Sequence, residues 1–315
     1  RNDSQRSLFT ATSAVELRPF PVSLPESFRP ESIEELVQTA SDKHELNRDF
    51  WGRYKDFPTM AQVSNKDEIL QIVDNFVLIH RKHVHVFQRL KVTVLRTLDM
   101  WSASDLAGLC HAWAQLGFLH EDLCLAMAGR VTETVDGCNP QQLTWLLDAY
   151  ATARCSVDSV TATIVRATFL LLEKFTLKEL CLHASSFARL NLQHRELLHA
   201  MSLRFVSLLT SCSDVSADRD WHTRYAARDL ALMSYALAKL GCASDAAFAA
   251  ISKGAVPVMR DFTAQDIRMV FVAYQRANYF DAVLQSLSLE AHRRIAQFSA
   301  ESLTLTLSSM AYFGM

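Results

Sequence analysis

One arrangement of apolar and polar positions recurs along this chain with a period of about 37 residues. Each copy has an aromatic residue or Cys, usually a Ser, Thr or Asn, two variable positions, usually an acid or amide, and then Leu or Ile. The Leu or Ile, which we call the marker, falls at Leu106, Leu143, Leu180, Leu230, Ile267 and Leu303. Self-similarity at a fixed period predicts stacked supersecondary units, and therefore a repeat protein.

The polar residues of each copy predict a helix start. Four positions before the marker a Ser, Thr or Asn oxygen can cap free N–H groups, except in the copy with Ala226. The acid or amide just before the marker completes a capping box and faces the positive end of the helix dipole. The preceding aromatic residue or Cys can pack on the marker as a hydrophobic staple. We therefore expect helices to begin near residues 102, 139, 176, 226, 263 and 299.

A stop signal and a second apolar segment complete each copy. The stop positions lie eleven residues past the marker, at Gly117, Arg154, Asn191, Gly241, Asn278 and Gly314. Most of these residues tolerate the left-handed conformation that ends a helix. Small residues in the middle of the first helix allow close helix packing. The sequence therefore predicts an all-α fold, an α-solenoid of about six 37-residue helical-hairpin repeats with an extended N-terminal arm.

The chain divides into three predicted segments. Residues 1–31 form an extended, Pro-rich arm, and residues 32–64 form an N-terminal helical cap. Residues 65–315 form the solenoid, with an insertion at 211–224. The Arg-rich, acid-poor beginning suits the remnant of an organellar presequence, and an incomplete end explains it equally well.

The last predicted helix carries several apolar residues and has no second helix after it. These residues are Leu303, Leu305, Leu307, Met310 and Phe313. Leaving such side chains in water is unfavourable and favours association. We expect this end to be covered by a partner or a further domain, and the isolated polypeptide to associate.

Composition narrows the classes of function. Only 8 Gly and 7 Pro leave little room for tightly turned sheets or phosphate-binding loops. No catalytic motif occurs, so we expect neither an enzyme nor a cofactor. The seven Cys residues lack CxxC spacing, which predicts buried free thiols, a reducing compartment and no metal site. No apolar run is long enough to cross a membrane.

The net charge of −2 and a pI of about 6.6 mean that any nucleic-acid surface must be local. The first candidate is the acid-free stretch after Asp74, whose basic residues are Arg81, Lys82, Arg89, Lys91 and Arg96. We expect Lys82, Arg89 and Arg96, with His85, to share one helical face. An ordinary solvated face explains the same pattern. A zinc site from the nearby histidines lacks a Cys or carboxylate partner at set spacing.

The second candidate comes from the repeat register. Positions one, five and nine after the marker are expected to share one variable face of the first helix. The ninth position holds Arg189, Lys239 and Arg276 in three successive copies. Stacking would align them as a ladder suited to successive phosphates, and cations that complement the helix dipole explain them equally well.

The insertion supplies a third candidate. Trp221 lies in a polar segment, where an aromatic residue can anchor a partner or stack on a base. It can also fold back on the repeats. Both interpretations stay open.

Three segments carry a resemblance to a known family. "WSASDLAGLCHAWAQLGFLHEDL", "YAARDLALMSYALAKLGCASD" and "FTAQDIRMVFVAYQRANYFD" resemble heptatricopeptide repeats of organellar proteins, relatives of octotricopeptide, RAP-domain and FASTK-like proteins. The similarity covers residues 65–315. It implies RNA binding in an organelle, and in apicomplexan mitochondria such proteins include ribosome constituents.

Two functions follow as expectations. The resemblance implies a non-enzymatic protein of the mitochondrial matrix that stabilises ribosomal RNA in the mitochondrial ribosome beside neighbouring proteins. The near-neutral charge favours the alternative, a protein scaffold in a large mitochondrial complex such as a respiratory complex or ATP synthase.

Overall fold

Helical hairpins make up the part of the chain that the structure, a computed structural model, describes: residues 66–78, 82, 84–213 and 225–315. These residues contain no strand, and the fold is all-α and solenoid-like. The predicted arm at 1–31 and cap at 32–64 lie outside the described residues. The described helices include none that is both long and apolar enough to cross a membrane.

The helices alternate between two layers. The first helices of the hairpins form the first layer and are α1 (Lys66–Leu78), α3 (Ala103–Leu116), α5 (Pro140–Thr152), α7 (Leu177–Leu190), α9 (Ala227–Lys239), α11 (Ala264–Ala277) and α13 (Ala300–Tyr312). The second helices form the second layer and are α2 (Val84–Arg96), α4 (Glu121–Thr134), α6 (Asp158–Leu171), α8 (Arg195–Ser213), α10 (Asp245–Ala255) and α12 (Ala282–Arg293). Each first-layer helix packs on the next one along the chain.

Short 3₁₀ turns connect most second-layer helices to the following hairpin. They are Leu98–Met100, Val135–Gly137, Leu172–Lys174, Met259–Asp261 and Ile295–Gln297. Where the predicted insertion begins, α8 instead continues as a helix through Ser213. The first residues of the segment 211–224 are therefore helical, and residues 214–224 lie outside the described part.

The predicted helix starts are confirmed by their caps. The side chains of Ser102, Asn139, Thr176 and Thr263 each accept a hydrogen bond from the backbone N–H three residues on, in complete capping boxes. Ser299 accepts a hydrogen bond from the N–H of Ser302. Ala226 has no side-chain acceptor, and only the Asp229 carboxylate accepts the Ala226 N–H, at 2.7 Å.

All six predicted stop positions have a left-handed backbone, with φ between +50° and +72°. They include Arg154 at +55°, although a side chain at such a φ is strained. Gly117, at +72°, meets the same requirement without that strain. The stop signals therefore act through the backbone, as the sequence predicted.

The marker residues form the middle of the core. Leu106, Leu143, Leu180, Leu230 and Ile267 are all 0% exposed. Removing each of these side chains from water contributes about 1.5 to 3 kcal/mol. The marker of α13, Leu303, is only half-buried. The marker of α13 is therefore less buried than the other five.

Candidate nucleic-acid interface

The exposed surface of the first layer is formed by residues two before, and two, five and nine after, the marker, except Ser185 and Met269, which are buried. We call this surface the first-layer face. A helix advances about 100° per residue, so these positions lie opposite the buried marker. The ninth position is exposed or half-exposed in every repeat, at Gln115, Thr152, Arg189, Lys239, Arg276 and Tyr312.

The prediction that position one shares this face is wrong for four repeats. Ala107, Thr144, Cys181 and Ala231 are buried there, because this position is turned about 80° away from position nine. Their small or apolar character was a signal of burial already present in the sequence. The exposed position that replaces it, two before the marker, includes Lys178 and Arg228.

Arg189, the first cation of the predicted ladder, is engaged with the preceding repeat. Its Nη1 donates to Asp148 Oδ1 at 2.6 Å, and its Nη2 donates to Thr152 Oγ1 at 2.8 Å. The Arg189 side chain stays 40% exposed, whereas that of Asp148 is 17% exposed. The charge of Arg189 is therefore largely neutralised, and its first role is to join α5 to α7.

The other two cations of the ladder surround an aromatic ring. The Arg276 guanidinium carbon lies 5.7 Å from the centroid of the Tyr235 ring, across the junction of α9 and α11. Lys239 follows Tyr235 by one helical turn on the same face. Within the described residues neither cation forms an ion pair. We call Tyr235, Lys239 and Arg276 the Tyr235 cluster, a positively charged aromatic surface.

A pair of rings occupies the junction of α3 and α5. The ring centroids of His111 and Trp145 lie 4.9 Å apart with 11° between the planes. Gln115 Nε2 lies 2.7 Å from His111 Nε2. Burial lowers the pKa of His111, and the charge of Asp148 opposes that shift. No described group makes a hydrogen bond with the Nδ1 atom of His111.

Near the helix N-termini, an ion pair and a hydrogen bond also connect neighbouring first-layer helices. Lys66 Nζ lies 2.9 Å from Asp105, and Gln142 donates to Ser104 at 2.5 Å. Burial favours a higher pKa for Asp105, but the hydrogen bonds from Lys66 and Ser102 outweigh it and lower the pKa. Asp105 and Gln142 thus serve both the cap of their own helix and the contact between repeats.

The first basic candidate does not join the first-layer face. Lys91 and Arg96 belong to α2, in the second layer, and Lys91 forms an ion pair with Asp122. Lys82 precedes α2, so it cannot share a helical face with Arg89 as the sequence predicted. Its Nζ atom lies beside Gly117, at the C-terminus of α3, where a cation complements the helix dipole.

Arg89 is half-buried and Arg96 is exposed. Arg81 and Trp221 lie outside the described residues. Whether any of these four residues contacts RNA stays a prediction.

The comparison with known families identifies the chain's relatives. The model of the RNA-editing substrate-binding complex 6 protein family matches residues 134–315, more than half of the chain. The chain belongs to this family. No curated protein matches the chain. The family is a family of RNA-associated helical proteins, and the finer resemblance to heptatricopeptide proteins stays a prediction.

The family match includes one of the two predicted basic surfaces and leaves out the other. It runs from the last residue of α4 through α13, and so includes Trp145, Arg189 and the Tyr235 cluster. It leaves out α2 and its cations.

Proposed function

We propose that this protein is a non-enzymatic RNA-binding subunit of a mitochondrial ribonucleoprotein assembly, and that it holds single-stranded RNA along the first-layer face. The observation that carries the proposal is the Tyr235 cluster, in which Arg276 lies over the Tyr235 ring and Lys239 stands one turn away. The family to which the chain belongs is named for a complex that binds the substrates of RNA editing.

The chemistry of the cluster suits single-stranded RNA. Every base has a π-face that can stack on an aromatic ring or on a guanidinium plane. Cations beside the ring can contact the phosphates on either side of the stacked base. Because the net charge of the chain is −2, binding of this kind has to rely on local cations rather than on a general basic field.

The family name favours an RNA-processing assembly over a ribosome. The resemblance seen in the sequence implied a mitochondrial ribosome constituent that stabilises ribosomal RNA. A complex that holds RNA substrates needs the same sequence-tolerant stacking and phosphate contacts. We therefore propose that the partners are RNA and neighbouring proteins of a processing complex in the mitochondrial matrix.

The proposal is tested with two variants that remove the same charge from different layers. The first carries Lys239→Gln and Arg276→Gln in the Tyr235 cluster. The matched control carries Arg195→Gln and Lys253→Gln, at exposed positions of the second-layer helices α8 and α10. Affinity is measured by fluorescence anisotropy with a labelled oligouridylate of about 12 nucleotides at low salt.

We expect the cluster variant to bind about tenfold more weakly than the wild type, since it loses two phosphate or stacking contacts. We expect the control to stay within about twofold. Equal losses in both variants would show only a loss of general charge. No loss in the cluster variant would reject this surface.

A second candidate function is that of a protein scaffold, as in a respiratory complex or ATP synthase. It is favoured by exposed apolar side chains near the last helix, where Leu289 is 62%, Leu307 is 53% and Tyr312 is 54% exposed. Large exposed apolar patches typically mark contacts with proteins. Light scattering of the polypeptide with and without Leu305→Gln and Leu307→Gln tests whether these side chains drive association.

A further inference from the structure

The junctions at His111 and Tyr235 have the same arrangement of side chains. Both residues stand five positions after their marker on a first-layer helix, and both rings are half-buried. The next first-layer helix covers each ring with a flat side chain, Trp145 in one case and Arg276 in the other. The first-layer face therefore carries two partly solvent-accessible pairs, one of stacked rings and one cation–π pair, at the first and last of four successive junctions.

Trp145 is unusual for its position and for its exposure. The position two after the marker otherwise holds Gly or aliphatic residues, namely Gly108, Leu182, Leu232, Met269 and Leu305. Trp101 and Trp113, which serve the core, are at most 1% exposed, whereas Trp145 keeps part of its indole in contact with solvent. A tryptophan that only filled the core would be as buried as those two.

Polar groups suited to a base edge lie beside the ring pair. The exposed Gln115 amide contacts His111, and an amide offers both a donor and an acceptor. Asp148, whose charge acts on His111, is paired with Arg189, so it presents little repulsion to an RNA backbone. The junction thus combines an aromatic surface, an amide that can hydrogen-bond to a base edge, and an acid whose charge is neutralised.

We propose that the His111–Trp145 pair is a second nucleobase site on the first-layer face, where a base of single-stranded RNA stacks on Trp145 and hydrogen-bonds to Gln115. The inference rests on the proposed function, because it assumes that RNA follows this face. It adds to the proposed RNA path a second base-binding position and a side chain that can hydrogen-bond to the base. The Tyr235 cluster offers stacking and positive charge, whereas this junction offers stacking and an amide.

The test uses tryptophan fluorescence, to which Trp145 contributes together with the four other tryptophans of the chain. Base stacking quenches a tryptophan, and Trp145→Phe keeps an aromatic surface while it removes the contribution of Trp145. Unlabelled oligouridylate is titrated into the full chain and into this variant, and anisotropy with labelled oligouridylate measures the affinity of both. Trp145→Ala and Gln115→Ala are measured in the same way, with circular dichroism to confirm that each variant is folded.

We expect RNA to quench the wild-type emission and to quench Trp145→Phe much less, at an affinity within about twofold of the wild type. We expect Trp145→Ala to bind about tenfold more weakly, since one stacked base is lost. Gln115→Ala should lose less, about threefold, because a single hydrogen bond to solvent-accessible groups is replaced by water.

The outcomes separate this inference from the function on which it rests. If the wild type binds RNA and Trp145→Phe is quenched as strongly as the wild type, the second site is rejected while RNA binding stands. Unchanged affinity in a folded Trp145→Ala also rejects it. If the wild type does not bind the oligonucleotide at all, the proposed function and the second site fall together.

Discussion

Arg189 joins two consecutive repeats by donating hydrogen bonds to Asp148 and to Thr152, residues of the preceding first-layer helix. The position that was expected to present a free cation to RNA thus also holds the solenoid together. Arg276 reaches back to the preceding repeat in the same way, but it meets the Tyr235 ring instead of a carboxylate. The partner at position five of the preceding repeat decides whether the cation is neutralised.

The first prediction concerns this inter-repeat contact. Arg189→Gln should lower the free energy of unfolding by about 1 kcal/mol, because a partly buried carboxylate loses a charged partner. Lys239→Gln, at the same register, should change it by less than about 0.5 kcal/mol. Urea unfolding followed by circular dichroism measures both. Equal effects would mean that the Arg189–Asp148 pair adds nothing to stability.

His183 lies in a buried polar network that the sequence did not reveal. The side chain is 0% exposed between Thr168, at 3.0 Å from Nε2, and Thr144, at 3.4 Å from Nδ1. Both hydroxyls lie within donor distance of backbone carbonyls of their own helices. A neutral imidazole donates only one hydrogen bond, so His183 can donate to only one of the two hydroxyls.

The second prediction is that His183 makes the fold sensitive to acid. Burial lowers the pKa of His183 from its ordinary value of 6.5 to about 3. The unfolded chain therefore takes up a proton below pH 6.5 that the folded chain refuses, and stability is lost as the pH falls from 6.5 to about 3. The loss from this group is at most about 1.4 kcal/mol per pH unit.

Urea midpoints measured across this pH range test the prediction against His183→Gln, which keeps hydrogen-bonding groups but does not titrate. The variant should lose stability less steeply on acidification, while the other histidines contribute equally to both proteins. Parallel curves for the two proteins would contradict the assignment of this proton to His183.

The third prediction concerns the helix start that lacks a side-chain cap. Ala226 has the extended backbone of a cap residue, and its side chain is exposed. Ala226→Ser should raise the free energy of unfolding by about 1 kcal/mol, because the new hydroxyl can accept the Asp229 N–H in cap geometry. In the present chain that N–H donates to the backbone carbonyl of Ala226, at 3.0 Å. Thr176→Ala should lower the free energy of unfolding by a similar amount. Thermal unfolding of the two variants measures the expected increase and the expected decrease in stability.

The fourth prediction separates Arg189 from the Tyr235 cluster in RNA binding. Removing Lys239 and Arg276 should flatten the dependence of log affinity on log salt by about 1.4, since each phosphate contact with single-stranded RNA contributes about 0.7. Adding Arg189→Gln should flatten it little further, because Asp148 already neutralises that charge. A further fall of about 0.7 would show that Arg189 also contacts a phosphate.

The sequence by itself determined the helices, the repeat and the core. Caps such as Thr263 with Asp266, and stops such as Asn278, act between residues that are close in the chain, so their pattern is legible without the fold. The marker residues are buried because a helical period places them on one side of every first helix. Even the aromatic rings on the outer face, Tyr235 and Trp145, could have been noticed as exceptions among their neighbours in the register.

The tertiary structure alone decided what the polar residues do. Arg189 finds Asp148 and Thr152 across 41 and 37 positions of sequence, and Arg276 finds Tyr235 across a similar distance. Which side chains meet at a junction depends on the offset and rotation between stacked helices, and no local pattern specifies these. For that reason three cations at the same repeat position have different surroundings. Arg189 connects two repeats, whereas Lys239 and Arg276 form a positively charged surface around the Tyr235 ring.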